Sequence, residues 1–340
     1  MASSTEENFS LYYTTIQNRL YGIIGPILIG FGSIGAILSC CVFAQKTMRT
    51  NPCSIYFIAF NVANFLMLSC GLLPPILLYT INVDPSSYNV PYCKIHFYMA
   101  IVPAFLSPSY LVLASIDRAL ITSINALIRQ KSTRRLAYWS IGGITLFSLL
   151  FFSHIFVRVN IHELYPGVVL CFYDAGNYRT FVTYSGLILG NLLPPLFMGL
   201  FALVTLKNIR RIRIRPMNHN APTINSHRFK DRQLAIMLLS EIFVYILCCS
   251  MLPIIQIYTQ STQYQTKNDR QQALEPFLYG LAYLLSFIPV SIHFYINLAV
   301  SKTFRQKTIQ MLFQLCQSCS FQGNNHQGAS VVITINKSTA

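Results

Sequence analysis

Residues 136–157 read LAYWSIGGITLFSLLFFSHIFV. A helix that crosses a bilayer needs about 20 mostly apolar residues, and this stretch supplies them. A membrane β-barrel strand is only about 10 residues long and alternates apolar with polar side chains. Phe147 to Phe152 reads FSLLFF and shows no such alternation. The segment is therefore read as a membrane-spanning helix, whose backbone satisfies its own hydrogen bonds in lipid. Working outward, six further stretches have the same character: Tyr21–Ala44, Ser54–Thr80, Cys93–Thr122, Thr180–Leu206, Leu234–Tyr258 and Ala273–Val300. The third of the seven is the least clean, with Lys94, His96, Asp117 and Arg118 inside it. The expectation is an all-α membrane protein, a seven-transmembrane helix bundle over residues 21–300. Residues 1–20 form a polar N-terminal segment. In residues 301–319, Phe304, Ile309, Leu312 and Phe313 alternate with Lys302, Arg305 and Lys307, which predicts an amphipathic helix on the membrane surface. Residues 320–340 are Gly-, Asn-, Gln-, Ser- and Thr-rich and are read as a disordered tail.

The composition agrees. Of 340 residues, 53% are hydrophobic and 10% charged, with a net charge of +15. A soluble domain usually carries about a quarter charged residues. Disorder needs low hydrophobicity and is excluded by the apolar excess. A basic balance raises nucleic acid as a partner, until the charge is located. With the N-terminus placed outside, nineteen Lys and Arg fall in the inner connections and tail and six on the outer side. Positive charge collects on the cytoplasmic side of membrane proteins, so the N-terminus is read as extracellular and the C-terminus as cytoplasmic. The basic excess is then a face toward anionic lipid, and nucleic acid drops out. The first 20 residues lack the apolar core of a cleavable signal peptide. The expected location is the plasma membrane, as a multi-pass protein. Asn8-Phe9-Ser10 and Asn336-Lys337-Ser338 are glycosylation sequons, and seven crossings leave only one of them on the outer side.

Ten Cys are too sparse for a disulfide-stapled secreted scaffold. Cys93 opens the third span and Cys171 lies between the fourth and fifth, both on the oxidising side. The other eight fall within spans or inside, so a bridge between these two is expected, with two unpaired thiols as the alternative. Asp117-Arg118 lies 25 residues after Cys93, about 37 Å along a helix and so at the opposite end of the span. Ionisable residues this close to hydrocarbon are costly and usually functional. The bland reading is a snorkelling Arg with a counter-charge. Gly30-Phe31-Gly32-Ser33-Ile34-Gly35 matches a dinucleotide-binding pattern but has no preceding strand. There, small residues let a neighbouring helix approach closely. Glu241 lies inside the sixth span and is either functional or paired with basic groups. His154 and His293 read as satisfied bundle residues. No metal-ligand spacing, paired acids, Ser-His-Asp set or P-loop appears. The reading is not an enzyme, without cofactor or metal.

Seven spans, Cys93, Cys171 and Ile116-Asp117-Arg118 together resemble the rhodopsin-like family of G-protein-coupled receptors. Arg49-Thr50-Asn51-Pro52 leads into span two as in that family, and Trp139, the only Trp, falls in span four. The texture is nearest to invertebrate FMRFamide-like and orphan receptors. The resemblance implies helix kinks at Pro195, Pro253 and Pro289, and palmitoylation at Cys316 and Cys319. It implies an extracellular ligand bound among Phe97, Ala100, Met251, Tyr258, Tyr279 and Tyr283. It implies coupling to a heterotrimeric G protein through Asp117 and Arg118 when span six swings outward.

The departures are specific. The family's span-two Asp aligns with Asn64, its span-one Asn with Ala36 and its span-seven Asn-Pro pair with His293 and Phe294. These changes weaken the family's sodium site, because neutral Asn64 replaces the carboxylate. The acidic partner of the Arg falls at Gln233, with Asp231 nearby. A weak inner lock and raised basal activity follow as expectations. Pro103 and Pro108 are expected to distort span three. The amine-binding Asp of the family aligns with Ala100, and Ala273–Val300 carries no Lys for a retinal Schiff base. Aromatic groups with Asp174, Glu163, Asp269 and Glu275 at the mouth suit a small basic or amidated peptide, with a hydrophobic odorant as the alternative. A seven-span ligand-gated channel or carrier is the reading from another class. Glycosylation mapping separates these: a glycan at Asn8 is expected, and a cytosolic, unmodified N-terminus removes the receptor reading.

Overall fold

The computed structural model describes residues 2–81, 83–165, 168–173, 176–214, 222–262 and 265–314; within these, the side chains of 2–10, 163–165, 168–170, 212–214, 222–232 and 269 lie outside the description. Among the described residues, seven helices are long and apolar enough to cross a membrane. They are span 1 (Leu11–Ala44), span 2 (Pro52–Ile81), span 3 (Val90–Ile121), span 4 (Arg134–Arg158), span 5 (Asn177–Arg211), span 6 (Gln233–Ser261) and span 7 (Arg270–Val300). The seven spans expected from the sequence are all present. The helix of span 1 begins at Ala2 and is longer than the expected Tyr21–Ala44. Gln17 Nε2 donates to Tyr79 Oη at 2.8 Å and Tyr21 Oη to the Gly280 carbonyl at 2.9 Å, which ties this early part to spans 2 and 7.

Span 3 lies at the centre and packs on spans 2, 4, 5 and 6. It carries buried residues along its whole length, from Cys93 to Ala119. Spans 4 and 5 are more peripheral and leave large apolar side chains exposed, among them Trp139 at 81% and Leu203 at 67%. Such surfaces are tolerable only against lipid. Spans 1 and 7 meet closely at two glycines. A Cβ on Gly32 would come within 2.6 Å of Leu68 and 2.9 Å of Ser291, and one on Gly35 within 2.9 Å of Phe294. The glycine run thus acts as a helix-packing surface, as expected.

Proline shapes the helices. Before Leu73-Pro74-Pro75 and before Leu193-Pro194-Pro195 the helix widens into a π-turn, over Leu68–Leu72 and Gly186–Leu192. A proline has no N–H to give the carbonyl four residues back, and its ring pushes against that carbonyl. Widening makes room for the ring. The freed oxygens find other donors. His96 Nε2 lies 3.1 Å from the Cys70 carbonyl, four residues before Pro74. Tyr283 Oη lies 3.1 Å from the Gly71 carbonyl, four before Pro75. Span 6 breaks at Ser250, three residues before Pro253, and span 7 between Leu285 and Ile288, just before Pro289. In contrast, span 3 continues as one helix through Pro103 and Pro108. Both prolines are buried among tightly packed neighbours, which hold the helix in line.

An antiparallel hairpin, β1 (Val159–Tyr165) and β2 (Val168–Tyr173), joins spans 4 and 5. Val159 is fully buried, and Ile161 packs on the core one alternation later. A disulfide joins Cys171 of β2 to Cys93 of span 3, with Cα atoms 5.7 Å apart. Past span 7, residues 302–314 are helical, and Phe304 is buried against Phe43 and Phe294 at ring distances of 5.2 and 5.8 Å. Cys316, Cys319 and residues 320–340 lie outside the described residues, as does the side chain of Asn8.

Tyr283→Phe is expected to lower stability by about 1–3 kcal/mol, because the buried Gly71 carbonyl loses its donor. The check is the Tm of the purified protein in detergent, and an unchanged Tm would refute the role given to Tyr283. Cys93→Ser is expected to lower surface expression, read by surface labelling, since the hairpin loses its covalent anchor.

Candidate functional site

At the end of span 3 far from the disulfide, Asp117 and Arg118 are both buried. Arg118 Nη2 donates to Asp117 Oδ2 at 2.6 Å and to Asn51 Oδ1 at 2.8 Å. The other Asp117 oxygen accepts from Ser132 Oγ in the connection to span 4. Asn51 is held because it is also the N-cap of span 2, accepting from the Cys53 N–H at 3.0 Å, with Pro52 as the first helical residue. A carboxylate beside a buried guanidinium offsets much of its desolvation cost. Asn208 of span 5 donates to the Ala119 carbonyl at 3.3 Å and so joins span 5 to the same turn. Gln233, where the sequence suggested the partner of Arg118, is engaged elsewhere. Its Oε1 accepts from Ser301 Oγ at 3.3 Å and from the Thr303 N–H at 3.0 Å, holding the start of helix 302–314. The side chain of Asp231 lies outside the description.

A second polar group is sealed in the same half of the bundle. Glu241 of span 6 lies 2.7 Å from His293 Nδ1 of span 7, with both side chains almost wholly buried. His293 Nε2 lies 3.2 Å from the amide nitrogens of Asn61 and Asn297. Phe57 and Phe60 pack on the imidazole at 6.0 and 4.8 Å between ring centroids. Glu241 thus pairs with a histidine rather than with a basic group at the membrane surface. His293 is buried in the bundle, with Nε2 met by the two amides and Nδ1 facing Glu241. Asn64 is buried and accepts from Ser107 Oγ at 2.6 Å. These residues do not fit a sodium ion, because the Asn64 oxygen is taken and position 36 is an apolar Ala. Among the described residues no group of three or more His, Cys, Asp and Glu is placed to hold a metal.

At the disulfide end, aromatic side chains converge beneath the hairpin. Phe97 meets Tyr173 edge-on at 4.9 Å, and Tyr173 meets Tyr178 at 6.1 Å. Burial pushes the Tyr173 phenol well above its ordinary range, with Tyr279, Tyr178 and Tyr283 adding to the effect, so it remains a neutral donor. Gln256 Oε1 of span 6 accepts from Asn191 of span 5 at 3.1 Å. Spans 5 and 6 are thereby tied together below the hairpin. Tyr283 faces Phe287 at 5.0 Å, and Met251 packs on the small core of Leu252, Ile255 and Ala282. Ala100 is half-buried on span 3, and Tyr258 is 44% exposed. Of the acids expected at the mouth, Glu275 is paired with Lys267. The side chains of Glu163, Asp174 and Asp269 lie outside the description. Arg158 and Arg179 lie over the rings of Tyr178 and Phe172 at 5.7 and 4.9 Å.

Sequence reasoning singled out Asp117, Arg118, Cys93 and Cys171. It missed Asn51 and Ser132 as partners of the pair, and Asn61, Asn297, Asn191 and Gln256 altogether. The Asn51-Pro52 pair is itself a helix-start signal, so Asn51 was legible as a cap. Its second role depends on span 3 lying beside span 2, which no local pattern records.

No curated protein matches the chain. The family model of the 7 transmembrane receptor (rhodopsin family) matches residues 35–289, three quarters of the chain. With seven spans and a disulfide from span 3 to the hairpin, the chain belongs to the rhodopsin-like family of seven-transmembrane receptors, and is a receptor rather than an enzyme.

Proposed function

We propose that the chain is a plasma-membrane receptor that binds an extracellular ligand beneath the hairpin and activates a heterotrimeric G protein through Arg118. The observation that carries this reading is Arg118, fully buried at the end of span 3 and bonded to Asp117 and Asn51. A buried, paired guanidinium is an expensive arrangement for stability alone. It makes sense as a held state of a two-state element, in which the same group serves a partner after the end of the bundle opens. A ligand shifts that equilibrium only by binding the open state more tightly. The distribution of Lys and Arg supports an extracellular N-terminus and a cytoplasmic Arg118 end. On helix 302–314, exposed Ile309, Leu312 and Phe313 beside Lys302 and Arg305 suit contact with the inner leaflet.

The ligand is a small amidated peptide whose uncharged end enters the bundle. Phe97, Tyr173, Tyr279, Tyr283, Gln256 and Asn191 offer rings, phenols and carboxamides, and none is charged. Peptide amides donate and accept in the same way, so they match these groups without bringing charge into the bundle. The neutralised Glu275 removes one of the reasons for a basic ligand.

Arg118→Ala is expected to abolish agonist-driven nucleotide exchange on the G protein with surface expression intact; retained activation would overturn the reading. Tyr279→Phe is expected to raise the concentration of an amidated peptide agonist needed for half-maximal response by about tenfold. The free-acid form of the same peptide should be weaker still on the unaltered receptor, and equal potency of the two forms would sink the ligand class.

A further inference from the structure

The hydrogen bonds around His293 fix its state. The Phe57 carbonyl only accepts, and it lies 2.7 Å from Asn61 Nδ2, so the Asn61 amide presents its NH2 at this position. The same NH2 lies 3.2 Å from His293 Nε2. His293 Nε2 must therefore accept, and the single proton of a neutral imidazole sits on Nδ1. Asn297 Nδ2, 3.2 Å from the same nitrogen, is placed to donate as well. An imidazolium would set an Nε2–H against these two donors. The protonated Nδ1 then faces Glu241, whose Oε1 lies 2.7 Å away. The oxygens of Asn61 and Asn297 are left buried without a partner in the described structure, which marks the cluster as built around the His293 nitrogen.

This contact joins span 6 to span 7 in the half of the bundle that holds Arg118, and Asn61 extends it to span 2. We propose that Glu241 and His293 form the latch that holds span 6 closed, and that the latch works by the acceptor oxygen of Glu241 rather than by its charge. Neither residue touches the ligand or the G protein; both are positioning residues. Other titratable groups lie on the helices packed around it, among them Tyr245 and Cys249 of span 6, Lys207 of span 5, Tyr110, Asp117 and Arg118 of span 3, Tyr56 of span 2 and Tyr295 of span 7. Asp117 and Arg118 are bonded to each other, and Tyr295 donates to the Phe31 carbonyl at 3.3 Å, on the side of span 1.

The test is hydrogen exchange over residues 233–249 in the full receptor reconstituted in lipid nanodiscs, beside basal G-protein activation per surface receptor. Glu241→Met keeps the volume and removes the acceptor, and should speed exchange about tenfold, with basal activation rising in parallel. Glu241→Gln keeps an acceptor oxygen and should stay close to the unaltered protein. His293→Ala should match Glu241→Met, and the double variant should add nothing further. Unchanged exchange in Glu241→Met overturns the latch, and Gln behaving like Met overturns its acceptor mechanism. Should Glu241→Met fail to reach the surface, His293→Ala carries the same measurement. The signalling arm rests on the receptor reading, whereas the exchange arm does not. Faster exchange with no signalling from any variant or the unaltered protein supports the latch and counts against the receptor reading alone.

Discussion

A backbone carbonyl that loses its helical partner inside a bilayer has no water to turn to. Much of this bundle follows from that constraint. Pro74 and Pro75 take two N–H groups out of span 2, and the helix answers with a π-turn and two borrowed donors, His96 and Tyr283. Those donors come from spans 3 and 7. A local defect thereby becomes a set of contacts between three helices, and their relative rotation is fixed by where the freed oxygens point. At the Pro194-Pro195 turn of span 5 the link is a side chain instead, where Asn191 within the π-turn donates to Gln256 of span 6.

The polar core obeys the same rule with side chains in place of carbonyls. Ser107 meets Asn64, Glu241 meets His293, and Asn61 and Asn297 share the far nitrogen of that ring. A buried polar group without a partner costs about 1–3 kcal/mol, so each bond also penalises any rearrangement that breaks it. Asn64 stands where the family has an acid, and His293 where it has Asn. The interior carboxyl has in effect moved from span 2 to span 6. At position 64 the amide oxygen is met by one hydroxyl, while the acid at 241 faces an imidazole nitrogen on the helix that must part from it if the bundle opens.

The spans themselves were legible, because a run such as residues 136–157 has only one stable form in lipid. The Arg118 pair and the disulfide were legible as unusual residues at fixed distances along span 3. The partners were not. Asn51 reads as a cap and Gln233 as a substitute for an acid, and only the packing of spans 2, 3 and 7 decides which atoms each one meets. The hairpin is hard to read because its strands are only seven and six residues long, although Val159 and Ile161 do alternate toward the core. The early start of span 1 escaped for a different reason. Residues before Tyr21 are too polar to span a membrane, but Gln17 finds a phenol on span 2 that makes its burial tolerable.

Span 6 carries both ends of the proposed mechanism on one chain. Gln256, bound to Asn191, lies under the hairpin, and Glu241 lies at the latch. At about 1.5 Å per residue they are roughly 22 Å apart along the helix. The break at Ser250 falls between them. A rigid rod would pass any movement at Gln256 directly to Glu241, but a broken one lets the two halves choose their contacts separately. Coupling then requires that the two halves prefer matching states, and Pro253 limits how the break can bend because it fixes one backbone angle. A ligand that competes for Gln256 therefore needs no contact with the latch. It needs only to bind more tightly when the upper half has turned, by enough to offset the contact between His293 and Glu241.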